Sequence, residues 1–168
     1  NFLSSIKNML QAKTDKKVNI SVKWDGAPAI VCGINPENGK FFVGTKSVFN
    51  KTPKINYTIQ DIKNNHTGEL VNILRECLEY LSVLNIKGII QGDLLFTDDT
   101  IKRETINGEQ LYTFRPNTIT YGIPVDHDIG KKAGRAKIGV VFHTHYRGDD
   151  LPTMQAMAGA PIRSYSKI

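Results

Sequence analysis

The sequence predicts an α+β fold in which antiparallel sheets are flanked by helices. Three observations carry that expectation. Short β-type runs at residues 18–22, 29–34 and 40–44 follow one another across brief turns, the pattern of an antiparallel meander. Leu70, Leu74, Leu78 and Leu81 recur at helical spacing and mark one buried helix stripe. Residues 101–104 and 110–114 flank Asn107-Gly108, a strong two-residue hairpin signal.

The elements follow in order. Phe2, Leu3, Ile6, Met9 and Leu10 sit at helical spacing and predict an amphipathic helix packed on the sheet that follows. Residues 13–17 are a polar connector. The run 18–22 alternates apolar and polar side chains as a half-buried strand does, and Asp25-Gly26 turns the chain into the apolar strand 29–34. Asn35-Pro36-Glu37-Asn38-Gly39 is a turn by composition and leads to the third strand, 40–44. Residues 51–65 are polar, contain Pro53, and read as a loop with a short helix, a mobile flap over a site. Thr67-Gly68-Glu69 signals the start of a helix over about 68–84, with Val71, Cys77 and Leu84 beside the leucine stripe.

The run 88–96 is an apolar strand interrupted by Gly92-Asp93, and Thr97-Asp98-Asp99-Thr100 is a turn. After the hairpin, Pro116-Asn117 breaks the pattern and 118–125 forms another strand by alternation and β-branching. Asp126-His127-Asp128 reads as a turn or a helix N-cap. Residues 137–146 form an apolar strand ending in Phe142 and in His143 and His145, which share one strand face. Residues 149–160 are expected to form a short helix that Pro161 ends.

At 168 residues, with 40% hydrophobic and 23% charged residues, the chain reads as one domain over 1–168 with its natural ends left open. No apolar run approaches the roughly 20 residues that span a bilayer, and no signal-peptide pattern is present, so a cytoplasmic protein is expected. Cys32 and Cys77 stand in apolar contexts with neither disulfide nor metal spacing, as buried free thiols of a reducing compartment do. The net charge of +6 suits a polyanionic partner, nucleotide or nucleic acid. Lys13, Lys16 and Lys17, and then Lys131, Lys132, Arg135 and Lys137, are the densest basic groups.

Three stretches carry candidate chemistry, one of them the strand end at Phe142, His143 and His145, whose histidines could bind a metal. Lys23-Trp24-Asp25-Gly26 sets a lysine at a strand end beside an acidic turn. Gly92-Asp93 puts an acid in an apolar run, which is costly unless the acid is exposed, paired or metal-bound. Lys23-Trp24-Asp25-Gly26 resembles the Lys-x-Asp-Gly signature of the covalent nucleotidyltransferases, the superfamily of ATP-dependent DNA and RNA ligases and mRNA capping enzymes. The resemblance covers roughly residues 18–146. It implies a ligase-type adenylation-domain fold, ATP and Mg²⁺ as cofactors, and Lys23 as the covalent carrier of AMP. It implies nucleotide contacts from Asp25, Gly26, Lys46, Asp93, Phe142 and Lys137, and metal ligation by Asp25 and Asp93. Phe142, with Trp24, would stack on the purine, while Lys46, Arg115 and Lys137 would neutralise phosphate.

The sequence departs from that pattern in places. Asp93 stands where the superfamily has Glu, and His143 where it has Asp. No Glu-Gly metal motif and no Lys-x-Lys motif follow Phe142. The chain also resembles a group of uncharacterised proteins of large tailed phages that share Lys-x-Asp-Gly-Ala-Pro-Ala, Gly-Thr-Lys, Gln-Gly-Asp-Leu-Leu-Phe and Phe-His-Thr; a phage protein would work in the host cytoplasm.

The chemistry needs these residue types. A lysine is a nucleophile only once its pKa is lowered by nearby cations, metal or desolvation. Mg²⁺ takes oxygen ligands and offsets the charge that builds on the phosphates. The expected activity is therefore lysyl-AMP formation for nucleic-acid end joining. The alternative is a ligase-like module that has lost catalysis and binds nucleotide or nucleic acid as a phage accessory or structural protein. A metal-dependent nuclease using Asp25, Asp93 and the histidines is a third reading.

Overall fold

The computed structural model describes residues 27–116 and 120–157, which form an α+β structure with antiparallel sheets. They divide into two units, one made of residues 29–92 and 142–157, the other of 27–28, 93–116 and 120–141. The helix expected near the N-terminus, the strand 18–22 and the Lys23 motif lie outside the described residues.

In the first unit, β1 (Ala29–Ile34) and β2 (Phe41–Gly44) form the expected hairpin, with Val31 opposite Gly44 and Ile34 opposite Phe41. Asn35 builds its turn: its carbonyl accepts from Gly39 N at 2.7 Å and its side chain accepts from Glu37 N at 3.0 Å. Next to β1 lies the start of β3 (Ile89–Thr97), then the end of β7 (Ile138–Arg147), then β8 (Gln155–Met157). Gly33 is required where β1 meets the approach to β3. Its φ is +150°, and a Cβ there would collide with the Gly88 carbonyl.

Val31, Phe42, Val48, Ile89 and Leu151 form one buried cluster, with Phe49, Ile55, Tyr57, Tyr146 and Met154 packed against it. Burying such side chains stabilises by about 1.5–3 kcal/mol each. Helix α1 (Ile59–Asn65) begins with a reciprocal cap: Thr58 Oγ1 accepts from Asp61 N, and the Asp61 carboxylate accepts from Thr58 N. Helix α2 (Glu69–Leu81) buries Leu74, Cys77 and Leu81 and runs on into a 3₁₀ turn at Ser82–Leu84.

In the second unit, β4 (Lys102–Ile106), β5 (Glu109–Phe114) and β6 (Tyr121–Pro124) form a three-stranded antiparallel sheet. The expected Asn107-Gly108 turn has positive φ at both residues, 51° and 80°, as its hairpin type requires. Phe96 packs on Phe114 at 5.1 Å between centroids, and Phe114 on Tyr121 at 5.8 Å. Helix α3 (Asp128–Arg135) follows β6. Asp126-His127-Asp128 thus lies at a turn and a helix start, as its composition indicated.

Several expectations need correction. β3 is not interrupted at Gly92-Asp93, because both residues stay within one nine-residue strand. By contrast, α2 starts as expected within Thr67-Gly68-Glu69, with Gly68 at the cap position at φ 70° and no side-chain hydrogen bond. The segment 51–65 is pinned at Asn56, which is fully buried and exchanges main-chain hydrogen bonds with Val43 of 3.0 and 3.2 Å. Residues 149–157 hold a 3₁₀ turn at Leu151–Thr153 and then β8 rather than a helix. Asp150 caps that turn, and Met154 leaves it extended so that β8 can satisfy the edge of β7, with His145 opposite Met157. Residues 158–160 lie outside the described ones. Among the described residues no helix is long and apolar enough to cross a membrane.

Candidate functional site

Lys23, Asp25 and Gly26, with Trp24, lie outside the described residues. Of the other candidates, Lys46 and Phe142 belong to the first unit, Asp93 and Lys137 to the second.

β3 delivers Asp93. Ile, Leu and Phe dominate that strand, and eight of its nine residues are buried; Asp93 alone is half-exposed. A carboxylate so placed keeps contact with water, which avoids the cost of burying a charge. Gln91, two residues earlier, projects to the same side of the strand.

Gln91 is 7% exposed, and Tyr146 Oη donates to its Oε1 at 2.6 Å. Burial pushes the Tyr146 hydroxyl above its ordinary pKa, keeping it a donor at neutral pH. Phe49 lies against the Tyr146 ring, 4.5 Å between centroids. The sequence reading passed over this pair because it weighed only charged residues in the run 88–96. The signal was an amide in an otherwise apolar strand, since a buried amide requires a partner.

Lys46 opens the 3₁₀ turn Lys46–Phe49 and is exposed. Thr45 fixes the turn: its Oγ1 accepts from Ser47 N at 3.2 Å and lies 2.7 Å from Ser47 Oγ. Phe142 is 5% exposed, so a purine can stack on it only if the side chains that cover it move aside. His143 Nδ1 lies 2.7 Å from Thr144 Oγ1. Lys137 is held by Asp98 at 3.4 Å, a surface pair of small energetic weight. Arg115, just after β5, is exposed. Among the described residues neither Asp93 nor the two histidines belong to a group of three metal-capable side chains.

Two other groups bear on chemistry. Cys32 and Cys77 are both free and buried, and burial pushes their thiols far up, so neither is a nucleophile at neutral pH. A polar knot fastens residue 56. Asn56 Nδ2 donates to the Val43 carbonyl at 3.0 Å, lies 3.0 Å from His66 Nε2, and Asn56 Oδ1 accepts from Asn65 at 2.9 Å. The Val43 carbonyl fixes which way the amide faces, so His66 Nε2 is an acceptor and the ring is neutral. Burial, and then the charge of Lys54, lower the His66 pKa to match.

No curated protein and no solved structure matches the chain. The model of one family, described as a family of unknown function (DUF6267), matches residues 1–168. The chain therefore belongs to the family of unknown function DUF6267.

Proposed function

We propose that the chain is an ATP-dependent adenylyltransferase of polynucleotide-ligase type, with Lys23 as the AMP carrier in nucleic-acid end joining. The motif order supports this reading: Lys23-Trp24-Asp25-Gly26, then Gly92-Asp93, then Phe142. The observation that carries it is Asp93, the one half-exposed residue of a strand otherwise buried along its length. Its exposure leaves that carboxylate within reach of a nucleotide or a metal ion.

In the proposed reaction, Lys23 Nζ in its neutral form attacks the α-phosphorus of ATP. A P–N bond forms, the bond to the β-phosphate oxygen breaks, pyrophosphate leaves with the electron pair, and the proton shed by Nζ passes to solvent. Mg²⁺ is held mostly by substrate phosphates and one or two carboxylates, a donor set that Asp93 and Asp25 fit. When bound it would offset the charge on the phosphates. Lys46, exposed on a turn fixed by Thr45, would meet phosphate. The purine would lie against Phe142 once that ring is uncovered.

The test uses ATP labelled on its α-phosphate. Label should stay with the denatured protein, and Lys23→Ala should remove it. Asp93→Asn should lower the labelling rate by tenfold or more, as loss of a contact to the reacting phosphates does (about 1.4 kcal/mol per factor of ten). Full labelling of Lys23→Ala would end the proposal.

One observation favours a second reading. His143, where the superfamily has an acid, lies against the Thr144 hydroxyl. A module that binds nucleotide or nucleic acid without catalysis would bind ATP and acquire no label.

A further inference from the structure

We infer that the outer face of helix α3 is a contact surface for the phosphate backbone of duplex DNA. The inference names a nucleic-acid surface for the proposed ligase-type reading and rests on that reading for its biological role. Its physical basis is independent.

The inner face of α3 is seated closely at Gly130 and Ala133, while Gly134 stays exposed beside Tyr112. A Cβ on Gly130 would collide with the Pro124 carbonyl of β6, and one on Gly134 with the Tyr112 ring of β5. Ala133, between them on the same side, is fully buried. At about 100° per residue, Gly130, Ala133 and Gly134 span one side, while Lys131, Lys132 and Arg135 fall together on the opposite side, with the exposed Asp128 of the first turn among them, for a net charge of +2 on that side. The close seating leaves those cations no freedom to turn inward.

Lys131 and Arg135 are exposed and Lys132 is half-exposed. Among the described residues no ion pair engages any of the three, whereas Lys137 just beyond them is taken by Asp98. Cations of the last turn suit the negative end of the helix dipole, which accounts for Lys132 and Arg135. That effect fades within one turn and does not account for Lys131, or for all three cations lying on one side. From Lys131 to Arg135 the helix rises about 6 Å, close to two base steps of a duplex at 3.4 Å each.

The chemistry of the face selects its partner. A helix that lies in a membrane surface buries an apolar face in lipid. Here Gly130, Ala133 and Gly134 lie on the side that meets β5 and β6, and at 100° per residue no large apolar residue falls among the three cations. An evenly charged polyanion is the complementary surface, and it requires no pocket.

The test measures binding of a fluorescent random-sequence DNA duplex by the full natural chain across a range of salt. Each phosphate contact adds about 0.9 to the slope of log affinity against log salt. The triple variant Lys131→Gln/Lys132→Gln/Arg135→Gln should lose about 2 to 3 from that slope. A second triple variant, Lys51→Gln/Lys63→Gln/Arg75→Gln, removes equal charge from exposed positions elsewhere and should shift the slope by less than about 1. Lys131→Arg/Lys132→Arg keeps the charge and should keep the wild-type slope, which separates lost contacts from lost folding.

Equal losses in both triple variants would overturn the inference, as would wild-type protein that binds no duplex at low salt. The proposed function is read separately, by AMP adduct on the wild-type protein. Duplex binding that depends on α3 without an adduct would sink the ligase reading alone. An adduct with duplex binding indifferent to α3 would sink this inference alone.

Discussion

His66 and Tyr146 each make one hydrogen bond whose chemistry sets a measurable outcome. His66 Nε2 accepts from Asn56, so a proton on that nitrogen replaces an attraction with two facing donors. The folded-state pKa is below the unfolded value, so the unfolded chain binds the proton more readily. Stability is then whole above the unfolded value of about 6.5 and is lost as pH falls below it toward the folded pKa. Thermal unfolding followed from about pH 7.5 to 5.5 should show a falling midpoint, and His66→Gln should flatten that fall. A midpoint with the same pH profile in both proteins would show that His66 does not couple to folding. Tyr146→Phe removes the donor to buried Gln91 and should cost about 1–3 kcal/mol in denaturant unfolding. A change within about 0.5 kcal/mol would mean that solvent replaces the hydroxyl. Neither contact was legible in the sequence, because Gln91–Tyr146 and Asn56–His66 join residues 55 and 10 positions apart in the chain. Asp93 was legible, because its charge is out of place in its own local run.

Helix α3 shows what an element's sequence hides. Two glycines in eight residues argue against a helix, so only its start, at Asp126-His127-Asp128, was legible. The same glycines are what let the helix sit on β5 and β6. Gly→Ala in a helix interior ordinarily stabilises by roughly 0.5–1 kcal/mol. At Gly130 the added methyl meets the Pro124 backbone, which cannot swing aside as a side chain can. Overpacking of that kind costs about 1–3 kcal/mol, so the clash should win and Gly130→Ala should destabilise in urea unfolding. An increase in stability would mean that α3 sits higher on the sheet than described. Elements with local signals were legible: the Asn107-Gly108 hairpin, the leucine stripe of α2 and the apolar centre of β7. Those set by partners were not. β8 is three residues long and exposed, and it is a strand because the edge of β7 needs hydrogen bonds. At the start of α2, Gly68 takes a positive φ and sets the entry to the helix by backbone geometry.

Across the whole molecule, the α+β class with antiparallel sheets followed from the order of short strands and one strong helix. The candidate residues follow less directly, since they are distant in sequence. What joins them in the proposed function is the order of motifs, with Lys23 as the residue on which the chemistry turns. The measurement that tests this most directly is the intact mass of the full natural chain after incubation with ATP and Mg²⁺, beside Lys23→Ala. The ligase-type reading predicts a gain of one AMP that the variant does not show. An unchanged mass for the wild-type chain would contradict it and leave binding without catalysis as the function of this family member.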